Sequence, residues 1–103
     1  MIKVAEILDS KTWGQGMPGL RGRSGTLCLM EATLTAETMA LSGPARDVGV
    51  GHLQVMMLDA IQAVTGMRPS SATQWNDAPE RTFAEVHAVA CEIDRLRMLW
   101  GEA

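Results

Sequence analysis

The sequence predicts an all-α protein: a compact single domain over residues 1–103, with about four helices and a long Gly-rich loop after the first helix. Three observations indicate this class. Apolar residues recur at intervals of three or four in several segments, which is the helical period. Only 4% of the residues are aromatic, whereas eight are methionine, and strands favour aromatic and β-branched side chains. Alternation typical of strands is absent, although residues 26–30 are compatible with a short strand.

Length and charge narrow the function classes. A chain of 103 residues forms one modest core, and a net charge of −3 argues against a generic nucleic-acid binder, which needs a basic surface.

We expect a cytoplasmic protein without a membrane partner, because neither a signal peptide nor a long apolar span is recognisable. Cys28 and Cys91 fit no disulfide or zinc pattern, so we expect both to be unbridged and buried.

The first helix is predicted over residues 2–10, where Val4, Ile7 and Leu8 share one face. The loop that follows, residues 12–25, contains five of the ten glycines and two arginines, Arg21 and Arg23. Two interpretations remain open. The loop is either a solvated connection or an anion-binding loop, in which backbone N–H groups and both guanidinium groups hold the anion.

Two further helices are predicted in the middle of the chain. The second covers residues 26–41 and stops at the Ser-Gly-Pro of residues 42–44. Its predicted core face is Leu27, Met30, Leu34 and Leu41, while alanines 32, 36 and 40 allow close approach of a neighbour. The third runs from Val50 to Gly66, with Val50, Leu53, Met57, Ile61 and Val64 on its apolar face. A linker then covers residues 67–73.

The stretch of residues 74–83 links the linker to the last helix. Asn76, Asp77 and Pro79 favour a tight turn. Thr82 is a natural N-cap, and Glu85 three residues later completes a capping box. The last helix is therefore predicted to start at residue 83 and to continue to about residue 100. Its predicted apolar face consists of Val86, Val89, Ala90, Ile93, Leu96 and Trp100.

Few residues suggest catalysis. His87 and Cys91 have helical i, i+4 spacing, which suits a shared metal ion, a thiol with an imidazole base, or simply a half-buried helix face. No orienting third group accompanies the pair, and no nucleophile elbow, dinucleotide fingerprint or paired carboxylates occur. We therefore expect a protein that is not an enzyme and that uses no cofactor and no metal.

Aromatic and arginine residues border the two polar stretches. Trp13 and Trp75 either plug the bundle where the loops cross it or offer a stacking platform to a planar ligand. Arg81 either holds an anion beside the helix N-terminus or forms a salt bridge with Asp77 or Glu85.

Residues 75–86, with the pattern Trp-Asn-Asp-Ala-Pro-x-Arg-Thr-x-x-Glu-Val, resemble the signature of a helical family of unknown function from actinobacteria and their phages. Two shorter segments also resemble that family: Trp-Gly-Gln-Gly at residues 13–16 and Cys-Leu-Met-Glu-Ala at residues 28–32. Glu80 departs from the glycine usual at its position, which puts the local turn in doubt. The resemblance implies a helical fold and supplies no activity.

Three functions are compatible with these residues. The first is non-catalytic binding of a small anionic or nucleotide-like ligand, and the phage resemblance suggests a counter-defence role such as sequestering a nucleotide immune signal. The second is a protein-interaction module that forms a homo-oligomer or binds a host protein. The third is an unrecognised enzyme that uses His87 and Cys91. The candidate ligand-binding residues are Trp13, Arg21, Arg23, Trp75, Asn76, Asp77 and Arg81.

Overall fold

The computed structural model describes residues 3–9, 11–15, 27–40 and 50–101, and it confirms the all-α class. Within these residues the chain forms five helices rather than about four. The helices are α1 (Val4–Ile7), α2 (Leu29–Ala40), α3 (Val50–Thr65), α4 (Ala72–Asp77) and α5 (Phe83–Gly101). The predicted stop at residues 42–44 and most of the glycine-rich loop lie outside the described residues.

The core forms where α3 and α5 pack against each other and against the three shorter helices. Leu53, Met57 and Ile61 of α3 are buried as predicted, but Val64 is 42% exposed. The predicted face of α5 is confirmed at four positions, since Val86, Val89, Ala90 and Ile93 are fully buried. Methionine and alanine supply much of the remaining core, including Met56, Ala60 and Ala72.

Helix α2 turns a different face inward from the one predicted. Over residues 29–36, where burial is described, the fully buried residues are Leu29, Ala32, Thr33 and Ala36. The larger Leu27, Met30 and Leu34 are only partly buried at the edge of the core. Small residues let the backbone of α2 approach its neighbours closely, and the Thr33 hydroxyl is satisfied by donating to Leu29 O at 2.9 Å. The alanines therefore form the contact face itself.

Helix α1 is shorter than the predicted segment of residues 2–10. It ends at Ile7 because Asp9 Oδ1 accepts hydrogen bonds from the N–H groups of Lys11 and Thr12, which folds the chain into a turn. A side chain of α5 caps the start of α1. Asp94 of α5 accepts hydrogen bonds from Val4 N (2.7 Å) and Ala5 N (3.0 Å) through its two carboxylate oxygens. A carboxylate 90 positions away therefore caps this helix.

Asn76 and Asp77 lie in a helix, so the predicted tight turn is wrong for these two residues, whereas Pro79 lies in the turn that follows. Ser71 starts α4 by accepting a hydrogen bond from Gln74 N at 3.0 Å. Pro79 disfavours a helical conformation at Ala78, which adopts polyproline II angles (φ −59°, ψ 134°) and ends α4. The turn follows at residues 78–81, where Arg81 N donates to Ala78 O at 2.9 Å.

The first segment returns to the start of α2 through one isolated parallel bridge between Trp13 and Leu27. Gly14 N donates to Leu27 O at 2.9 Å, and Leu27 N donates to Thr12 O. Residues 26–30 were compatible with a strand, but the described residues contain only this single bridge. The same described part of the chain includes no helix with the length and hydropathy required to cross a membrane.

Candidate functional site

Asn76 is the centre of a buried hydrogen-bond cluster, the Asn76 cluster, formed with Trp13, Gly14, Gln15 and Leu29. The Asn76 side chain is fully buried. Its Oδ1 accepts from Trp13 Nε1 at 2.7 Å and from Leu29 N at 3.1 Å. Its Nδ2 donates to Gly14 O at 3.0 Å and also to Asp77 Oδ1 at 3.0 Å. All four hydrogen-bonding positions of the amide are therefore used within the protein.

The Asn76 cluster joins three parts of the fold. Leu29 is the first residue of α2, so Asn76 caps that helix from α4. Gln15 Nε2 reinforces the junction by donating to Asn76 O at 2.9 Å and to Ala78 O at 2.7 Å. The Trp13 indole N–H, which needs a partner when it is buried, has that partner in Asn76.

The remaining described candidates, Trp75 and Arg81, line a groove. The Trp75 ring is buried, and the Arg81 guanidinium lies 4.1 Å from its centroid. Arg81 Nε donates to Trp75 O at 2.8 Å, and Nη1 lies 3.4 Å from Glu85 Oε2. Of the two interpretations of Arg81, the salt bridge with Glu85 is present, together with a cation–π contact.

This Trp75–Arg81 groove has a volume of about 340 Å³. It lies between the end of α3 and the start of α5 and is lined by Thr65, Met67, Arg68, Pro69, Trp75, Glu80, Arg81 and Glu85. Arg68 Nη1 donates to Asp59 Oδ1 at 2.7 Å and to Gln62 Oε1 at 3.1 Å. Two arginines and two glutamates therefore line a groove in the volume range of small-molecule sites.

The structure separates the candidates predicted from sequence. Trp13, Asn76 and Asp77 lie together in or beside the Asn76 cluster, whereas Trp75 and Arg81 belong to the groove. Arg21 and Arg23 lie outside the described residues.

Sequence reasoning missed Met67, Arg68 and Pro69 as lining residues, because they were assigned to a plain linker. Gly66, just before these residues, could have indicated that the chain changes direction there. In the structure its φ of +84° redirects the chain at the end of α3.

The start of α5 is fixed by the predicted capping box, which the structure confirms. Thr82 N donates to Glu85 Oε1 at 2.9 Å, and Glu85 N donates to Thr82 Oγ1 at 3.3 Å. The hydrogen bond from Thr82 N is the main cause that lowers the pKa of Glu85, with Arg81 adding to it. The Glu85 carboxylate is therefore ionised at neutral pH, and it places a negative charge in the lining of the groove.

The two cysteines are unbridged, as predicted, but their environments differ. Cys28 is buried, and burial raises the pKa of its thiol. Cys91 is exposed on α5, so the prediction that both are buried is wrong for Cys91. Its Sγ lies 3.9 Å from His87 Nδ1. Residue 91 falls on the outer side of α5, between the positions that contact the core.

A second, more open hollow of about 470 Å³ lies between the first segment and the start of α5. It is lined by Ala5, Leu8, Asp9, Phe83, Ala84 and His87. The His87 ring packs against Phe83 with centroids 5.5 Å apart. In the described part of the chain no three histidine, cysteine or acidic side chains are grouped as metal ligands.

Comparison with known proteins gives one match. A family model described as a family of unknown function (DUF6197) matches residues 1–92, which include both the Asn76 cluster and the groove. Searches of curated proteins and of solved structures gave no match.

Proposed function

The chain belongs to DUF6197, a family of unknown function, and we propose that it is a non-catalytic protein that binds a small anionic, nucleotide-like ligand in the Trp75–Arg81 groove. The observation that carries this proposal is the placement of two arginines on one groove of ligand size. A family match without an assigned activity leaves the groove as the basis for function.

The arginines retain donors for a ligand. Arg81 uses Nε and Nη1 within the protein, and Arg68 uses Nη1. Among the described residues, none accepts a hydrogen bond from Nη2 of either arginine. A phosphate or carboxylate that reaches both guanidinium groups would receive charge-assisted hydrogen bonds, which are the strong kind.

The rest of the groove favours a ligand with a flat apolar part. Met67, Pro69 and Trp75 contribute apolar side chains to its lining. Since Arg81 already covers the Trp75 ring, we expect a planar base to stack on the guanidinium rather than directly on the indole. Glu80 and Glu85 offset the two positive charges, which disfavours highly charged polyphosphates.

In this proposal Trp13, Asn76 and Asp77 position the groove instead of contacting the ligand. Arg21 and Arg23 remain predicted contributors. The protein acts in the cytoplasm, where free thiols persist. Sequestration of a nucleotide immune signal by a phage-encoded protein is the biological role we propose for such a site.

A thermal-shift screen with nucleotides and cyclic dinucleotides tests the proposal, because a ligand that binds only the folded state raises Tm. Arg68→Ala should abolish the shift. Arg95→Ala is the matched control, since it also removes an exposed arginine from a surface salt bridge, with Glu92 at 2.6 Å, but away from the groove. Glu80→Gln should increase the shift. Equal responses from Arg68→Ala and Arg95→Ala would show that the groove is not the site.

A second candidate is a protein-interaction module, and Met67 favours it. This residue lines the groove and is 77% exposed, which is high for a large apolar side chain. If a second copy or a host protein occupies the groove, Met67→Asp should disrupt the complex in native mass spectrometry of protein purified from its own host. The anionic-ligand proposal instead predicts a monomer that carries a small mass adduct.

A further inference from the structure

His87 and Cys91 form a pair of metal-ligating side chains that the proposed ligand groove does not use. They are spaced i, i+4, so both project from the same side of α5. Cys91 Sγ lies 3.9 Å from His87 Nδ1. Phe83 packs against the imidazole ring and limits its rotation, and Cys91 is exposed, so its sulfur is open to solvent.

The separation of the two atoms suits a chelate. A tetrahedral zinc ion has a Zn–S distance of about 2.3 Å and a Zn–N distance of about 2.0 Å, which together place S and N about 3.5 Å apart. The pair lies within a few tenths of an ångström of that spacing before any ion is present. A small side-chain rotation is sufficient to bring both atoms to one ion.

We propose that His87 Nδ1 and Cys91 Sγ chelate one divalent cation of the zinc type, with water in its remaining positions. Thiolate and imidazole are the ligands such cations prefer. As the S–metal bond forms, the thiol proton is released to the buffer, and no oxidation or reduction occurs.

The proposed metal site has free coordination positions, unlike a closed structural zinc site with four protein ligands. Asp9 lines the same hollow as His87, but its Oδ1 already accepts hydrogen bonds from Lys11 and Thr12. With two protein ligands, the ion binds more weakly than in a closed four-ligand site, and it exchanges readily. The open positions remain available to a further donor from solution.

Cobalt(II) replaces zinc as a visible probe in the test. Titration of the full chain with Co²⁺ should produce a thiolate-to-cobalt charge-transfer absorption that follows a single-site binding curve and saturates only in excess cobalt. His87→Ala should weaken binding by at least about tenfold, because it removes one of two protein ligands. Cys91→Ser should abolish the absorption, and excess Zn²⁺ should displace the cobalt from the wild type.

A relocated thiol provides the matched control. The double variant Ala88→Cys, Cys91→Ser keeps one exposed cysteine on α5 but moves it to an adjacent position, about 100° around the helix from His87. This double variant should bind cobalt no more tightly than the His87→Ala variant does. His52→Ala removes the other histidine and should bind like the wild type. An unchanged titration in His87→Ala, or full binding by the relocated thiol, would overturn the chelate.

Discussion

Asn76 and Asp94 both cap a helix that lies far away in the sequence, but they do so with different chemistry. Asn76 accepts from Leu29 N at the start of α2, and Asp94 accepts from Val4 N and Ala5 N at the start of α1. Asn76 also donates, to Gly14 O and to Asp77 Oδ1. Asp94 only accepts, and Arg97 Nη1 donates to it at 2.9 Å.

This difference shows why each position needs its own residue. A carboxylate has no N–H group to donate, and an amide can direct only one oxygen towards a pair of backbone N–H groups. Thr82 provides a third kind of cap, since it lies next to the helix that it starts and is exposed to water. The cost of losing a cap should therefore rise with burial and with the number of partners left unsatisfied.

Asn76→Asp should have the largest effect. The new carboxylate is buried, leaves Gly14 O without its donor and faces Asp77, so we expect a loss of about 3–5 kcal/mol in the free energy of unfolding. Urea unfolding measures this loss. Gln74→Glu is the control, because it makes the same amide-to-carboxylate change at an exposed position of α4. A loss no larger than that of the control would show that Asn76 is not the anchor.

Asp94→Asn should cost about 3 kcal/mol, at the lower end of the range for Asn76→Asp, because one of the two N–H groups at the start of α1 loses its acceptor and the buried Arg97 guanidinium loses the carboxylate charge that it faces. Hydrogen exchange of the Val4 and Ala5 amides should speed up together with the fall in stability. Glu92→Gln, which weakens a surface salt bridge on the same helix, should leave both amides protected. If both variants behave alike, the cap at α1 contributes nothing beyond surface charge.

Thr82→Ala should cost roughly 1 kcal/mol, the usual value for an N-cap side chain. The midpoint of urea unfolding should fall without a change in slope. The effect is smaller than at Asn76, since water can satisfy the freed Glu85 N–H group at this exposed helix end. An unchanged midpoint would mean that Thr82 does not set the start of α5.

Acidic pH should weaken the Thr82–Glu85 capping box but not the cap that the Asn76 amide provides. The pKa of Glu85 is lowered in the folded state, so its contribution is present above the unfolded value of 4.5 and is lost as the pH falls through the lower folded value. Relative to Glu85→Gln, the wild type should therefore lose stability in this acidic window. Parallel pH profiles for the two proteins, measured by thermal unfolding, would contradict this.

The helical class, most of the apolar faces of α3 and α5 and the capping box were predictable from the sequence, although Val64 of the predicted α3 face is exposed. Each depends on residues three or four apart, as with Leu53, Met57 and Ile61 or with Thr82 and Glu85. Such spacing fixes which side chains share a helix face, whatever the rest of the chain does. The wrong prediction for the buried face of α2 has the same origin. Periodicity identifies an apolar face, but the neighbouring helices decide which face packs inward.

Only the tertiary structure decided what the polar residues do. Asn76 looked like a turn former because its partners Trp13, Gly14 and Leu29 lie 47 to 63 positions away. Local spacing likewise does not link Asp94 to the start of α1, since Val4 lies 90 positions away. Arg68 entered the candidate groove because α3 and α5 pack side by side. A side chain's hydrogen-bonding role depends on which distant backbone groups the packing brings to it, and local spacing holds no information about those groups.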